Sequence, residues 1–120
     1  MNFIDPTTLQ LVSRALDACA LRHQVIAQNV ANASVPGATA LTVRFEDLLG
    51  DVQAEMGAGR VPSQGDIPEP VVVPRAGGSA IALDDEMAAL ASNSLHYQAL
   101  LKAMSRHLSI LETATQEARR

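Results

Sequence analysis

The side chains able to do chemistry are few and scattered. His23, His96 and His107 are the only histidines. An imidazole could act as a base or bind a metal. His96 and His107 are 11 residues apart, about three helical turns, too far along one helix to share an ion. No Cys/His/Asp group has metal-ligand spacing. His23 falls on an apolar seam, where a packed or water-contacting ring is the expected state. Cys19 is the single cysteine, so no disulfide can form within the chain. Between Ala18 and Ala20 it reads as a small buried hydrophobe; a reactive thiol or an intermolecular bridge is the other reading. Asp84, Asp85 and Glu86 are consecutive, so on a helix their carboxylates fan out instead of converging on a cation, and no calcium-loop pattern surrounds them. They read as first-turn partners of the helix dipole. Gly57-Ala58-Gly59 opens no helix and lacks a following Lys-Ser/Thr, so it is no phosphate loop. No serine sits in a nucleophile elbow. The expectation is a protein that is not an enzyme, with no cofactor, no metal and no small-molecule substrate.

The balance of residue types agrees. Nine Lys and Arg stand against 13 Asp and Glu, for a net charge of -4. Basic residues are not clustered, so no track for a phosphate backbone exists and nucleic acid is not an expected partner. Hydrophobic residues make up 48% of the chain, yet there is no Trp, one Tyr (Tyr97) and two Phe (Phe3 and Phe45). Ala, Leu and Val supply the apolar mass, which suits close helix packing more than walling a pocket. With 120 residues the chain is a single domain. No apolar run approaches the ~20 residues of a membrane span. The start lacks the basic and apolar regions of a cleaved secretory signal.

What remains is a pattern of two long helices. From about 8 to 33, Leu9, Val12, Leu16, Cys19, His23, Ile26, Val30 and Ala33 recur at steps of three and four. That is a heptad seam, and a second stripe through Leu11, Ala15, Ala18 and Val25 widens the apolar face. Pro6 with Thr7 or Thr8 is helix-start chemistry, a threonine serving as cap after an extended lead. Asn29 and Asn32 sit near the far end. Asn32 can cap the C-terminus. Asn29 is a poor interior residue; it is either an exposed polar side chain or one that fixes register against a partner through a buried hydrogen bond. Val35-Pro36-Gly37 then stops the helix with a type II turn.

Residues 34–82 read as mostly irregular, Gly/Pro-rich and mobile in the lone chain, with room for short strands. Leu41, Val43 and Phe45 alternate like a strand, residues 45–49 could instead make a helical turn, and Val71-Val72-Val73 could form a brief edge. A second helix spans about 84–117, with Met87, Leu90, Ser94, Tyr97, Leu101, Met104, Leu108, Leu111 and Thr115 as its seam and Arg119 and Arg120 at its negative end. The expected fold is therefore all-α dominated, with the terminal helices packed as a coiled-coil-like hairpin. Two helices close no core, so much of each apolar face points to assembly.

Two blocks carry a family resemblance. The stretch 21–37 contains Asn29-Val30-Ala31-Asn32 followed by Pro36-Gly37. It resembles the N-terminal signature of flagellar rod and hook proteins, an Asn-hydrophobic-Ala-Asn core and then a Thr-Pro-Gly-Tyr turn. Val35 and Ala38 depart from the usual Thr and Tyr. The stretch 81–100 carries Asp84, Glu86, Met87, Asn93, Tyr97 and Gln98, and with the short middle it is similar to the proximal members of the flagellar basal-body rod family.

The resemblance implies a structural subunit of the rod that crosses the periplasm, transmitting torque from motor to hook and filament. It implies export by the flagellar type III apparatus without a cleaved signal peptide. Implied partners are further copies of itself, other rod proteins, and membrane-ring and export-gate components at the rod base. The residues expected at subunit contacts are Leu9, Val12, Leu16, Ile26, Asn29, Val30, Asn32, Met87, Leu90, Tyr97, Gln98, Leu101, Met104, Leu108 and Leu111, with Pro36 and Gly37 at the turn. Two other readings stand beside it: a different rod subunit or injectisome-like axial component, and a free helical adaptor or chaperone.

Overall fold

Pro6 opens the first helix, α1 (Pro6–Ala31). Its fixed φ and missing N–H suit the first helical position. Thr7 and Thr8 therefore lie inside the first turn and not at its cap, a correction to the threonine-cap expectation. A computed structural model describes residues 6–57, 59–78 and 80–119. The lead expected over residues 1–6 is cut back at Pro6, which is already helical; the rest of it and the dipole role of Arg120 fall outside the described residues.

At the other end, the Asn32 N–H still reaches the carbonyl of Gln28 at 3.0 Å, so the last turn is closed by main chain. No described non-glycine residue has positive φ, so Asn32 does not form the left-handed cap its type allows. Gly37 supplies that conformation at φ 77°, and the Ala38 N–H closes the turn on the Val35 carbonyl at 3.2 Å. This is the expected Pro-Gly turn, with glycine where a Cβ would be strained.

The middle holds more structure than its composition suggests. Both expectations for 41–49 are met in succession: β1 (Leu41–Arg44) runs directly into α2 (Glu46–Met56). Residues 71–74 form β2 (Val71–Pro74), paired antiparallel to β1 with Leu41 opposite Pro74 and Arg44 opposite Val71. A single bridge between Thr39 and Ala80 extends the pairing. Inside the connection, a short 3-10 turn at Gln64–Asp66 is held by a capping box in which Ser63 N and Ser63 Oγ both donate to Asp66 Oδ2 at 2.8 Å. That turn delivers Ile67 to the core.

The last helix, α3 (Leu83–Ala118), has 36 residues, roughly 54 Å at 1.5 Å per residue. The molecule is correspondingly elongated, 65 × 32 × 16 Å. α1 and α3 pack antiparallel, since Asn29 meets Glu86 while Cys19 meets Asn93. α1 is the central element. One side packs on α3; the other, through Leu11, Ala15 and Ala18, meets Phe45, Leu49 and Ile67. Burying Phe45 and Ile67 contributes about 2 kcal/mol each. No helix of the described residues is long and apolar enough to cross a membrane.

Candidate functional site

Two features could carry function: a buried polar centre that fixes the helices, and an exposed apolar stripe along α3.

The polar centre begins at Asn29, which is buried and spends its amide fully. Its Oδ1 accepts the Leu41 N–H at 2.9 Å, and its Nδ2 donates to the Leu41 carbonyl at 2.9 Å and to Glu86 Oε2 at 3.0 Å. The pair of bonds to Leu41 imitates a strand partner, so an α1 side chain starts β1. Glu86 stands in the first turn of α3, as its dipole reading expects, and it is also 1% exposed. Its other oxygen, Oε1, meets the Arg75 guanidinium at 2.9 Å. Arg75 is tied down by its own N–H, which donates to the Ala40 carbonyl at 2.8 Å. A buried carboxylate persists only when its charge is matched and its lone pairs are used, and here both oxygens are. A second polar contact lies two turns along, where Asn93 Nδ2 donates to the Cys19 carbonyl at 2.8 Å.

Cys19 itself is a free, buried thiol, as its alanine neighbours indicate. Burial pushes its pKa up, Arg22 opposes that shift and Glu46 adds to it. Arg22 forms a two-pronged ion pair with Glu46, which joins α1 to the start of α2. That hydrogen bond holds the Glu46 carboxyl below its usual range, against a smaller upward push from burial.

The residues expected at contacts divide between inside and outside. Ile26 and Asn29 are buried within the chain. Val12, Leu16, Val30, Asn32, Leu90 and Met104 are half-buried. Leu9, Met87, Tyr97, Gln98, Leu101, Leu108 and Leu111 are exposed, as are Pro36 and Gly37. On α3 the inward side runs through Glu86, Ala89, Leu90 and Asn93, and on through Leu100, Met104 and His107. Most of the leucine-rich seam is turned outward from it. Leu95 is 69% exposed and Leu108 50%. Near the end of α3 the Thr113 and Thr115 hydroxyls bond back to the carbonyls of Ser109 and Leu111 at 3.0 and 2.9 Å, so neither asks a partner for a hydrogen bond. Between α1 and α3, Cys19, His23, Asn93, Tyr97 and Gln98 help line an open cleft of about 460 Å³.

Among the described residues the histidines do not come together. His23 and His96 are exposed and His107 half-buried, on separate stretches of helix. Among the described residues no group of three or more His, Cys, Asp or Glu could hold a metal ion.

A sequence comparison bears on the whole chain. The chain is 28% identical over 117 residues to the flagellar basal body rod protein FlgB of Bacillus subtilis (strain 168), covering 88% of this chain and 91% of that protein. The chain is FlgB-like. No family model matches it. The FlgB likeness spans both helices and the middle, so it concerns the whole architecture and not one motif. It also supports a structural role over an enzymatic one.

Sequence reasoning missed two partners in the polar centre. Arg75 follows a valine run and Pro74 with no periodic signal around it. Asn93 lies within the resembling block, but its type alone gives no destination. A polar residue inside an inward helical face is the one signal that could have found it.

Proposed function

We propose that this chain is a structural subunit of the flagellar basal-body proximal rod. It would transmit torque to hook and filament through helix packing against neighbouring copies and other rod proteins, with ring and export-gate components at the rod base. Under this reading it leaves the cytoplasm by type III export, without a cleaved signal, and works in the periplasm-spanning rod. The observation that carries the reading is the set of exposed apolar side chains Met87, Leu101, Leu108 and Leu111 along a helix of 36 residues. A lone chain leaves these side chains wet. Covering the exposed half of each contributes about 1 kcal/mol, and the row is long enough to engage a neighbour over several turns of packed helices. The likeness to a rod protein over nearly the full chain supports the same conclusion.

The test is sedimentation and circular dichroism of the purified chain, alone and mixed with rod partners from the same cell. The rod reading expects a gain in helicity and in mass on mixing. A monomer with both helices already fully protected from hydrogen exchange, unchanged on mixing, supports a free adaptor instead.

A further inference from the structure

We propose that Glu86 is a register clasp: one buried carboxylate whose two oxygens bind Asn29 of α1 and Arg75 beyond β2, so that α1, the β-hairpin and α3 order together and at one fixed axial offset. This goes beyond the rod reading, since it concerns how the chain itself closes and holds for any assembly it enters.

Three observations carry it. First, the contacts meet at a single group from three elements: Asn29 Nδ2 at 3.0 Å, Arg75 at 2.9 Å, and Glu86 itself in the first turn of α3. Second, each partner is also fixed to the hairpin by main chain. Asn29 bonds both polar groups of Leu41, and the Arg75 N–H bonds the Ala40 carbonyl. Losing the carboxylate therefore uncouples α3 from both of these hairpin contacts at once. Third, Leu90 is the one large apolar side chain on the inward face of α3 near this point, beside Ala89 and Asn93. Small apolar contacts slide at little cost. A buried charge cannot, because a shift of one turn strands it without a partner. The offset in turn determines where the leucines of α3 stand relative to α1.

Amide hydrogen exchange on the whole chain tests the coupling, using Arg75→Met and the milder Arg75→Lys. Both alter a side chain that is only partly covered. The reporter is the Leu41 N–H, bonded to Asn29 Oδ1; because Leu41 faces Pro74 beside the substitution, the Arg75 N–H, bonded to the Ala40 carbonyl, reads any merely local loosening of the strand pair. The reference is the Leu49 N–H, bonded to the Phe45 carbonyl in α2. The clasp predicts that Leu41 exchanges about tenfold faster relative to Leu49 in Arg75→Met, and by a smaller factor in Arg75→Lys, with the Glu86 N–H moving in step. Should Arg75→Met unfold altogether, Arg75→Lys alone decides the matter by the same ratio. A Leu41 rate that changes no more than that of Leu49 overturns the proposal and reduces Arg75–Glu86 to a local ion pair.

Discussion

Asn93 on α3 donates its side-chain amide to the main-chain carbonyl of Cys19 on α1 at 2.8 Å, within the body of both helices. A helix-interior carbonyl has a lone pair left after its own helical bond, and Asn93 uses it to pin two backbones together. Replacing Asn93 by Ala removes one buried hydrogen bond and leaves the Cys19 carbonyl with its partner in α1. The expected loss is about 1 kcal/mol, read from denaturant unfolding. Asn93→Asp should cost more, because a carboxylate offers the carbonyl no donor. Equal stability of wild type and Asn93→Asp would contradict the contact.

Gly37 offers a purely conformational test. Its φ is +77° and a Cβ built there would meet nothing within 4 Å. Gly37→Ala should therefore destabilise by about 1 kcal/mol through backbone strain alone, with no steric penalty added. Thermal unfolding measures it; a neutral or stabilising effect would show that the Pro36-Gly37 turn adopts another geometry.

The Arg22–Glu46 pair predicts a pH dependence. Its hydrogen bond to Arg22 depresses the Glu46 pKa in the folded chain. A depressed carboxyl contributes stability that is complete above the unfolded value, about 4.3, and is lost as pH falls through the lower folded value. The carboxylate is more than half exposed, so the effect is small and screened by salt. Stability followed across acid pH should fall less steeply in Arg22→Gln than in the wild type. Parallel curves would contradict the assignment.

The two helices were legible because their apolar residues repeat over many turns, and α1 and α3 fall within two residues of the limits that pattern sets. The pairing of β1 with β2 was not. Val71, Val72 and Val73 show no alternation, and their partners lie about thirty residues earlier, so nothing local announces the register. The burial of Glu86, unlike its first-turn position, was not legible for a physical reason. Glu86 follows Asp84 and Asp85, and in a run of acids at a helix start the common dipole explanation hides the one side chain that turns inward. Asn29 shows the opposite case: the sequence flagged an Asn that should fix register through a buried bond or stay exposed, and the bond forms within the chain, to Leu41 and Glu86. Periodicity likewise identified the apolar rows of α3 but not their facing. Glu86, Ala89 and Asn93 share the inward side with Leu90, Leu100 and Met104, and Leu95, Leu101 and Leu108 are left exposed.

That outward row is the centre of the account, and Leu108 tests it most directly. Leu108 is 50% exposed, so Leu108→Asp should leave the lone chain's circular dichroism and melting unchanged within about 0.5 kcal/mol. In a flagellated cell whose own rod subunit is replaced by this chain, the measurement is the number of complete basal bodies recovered. The account predicts normal recovery with the unaltered chain and few or none with Leu108→Asp. Equal recovery from both would mean that the stripe on α3 is not covered in the rod, and would contradict the proposed mode of assembly.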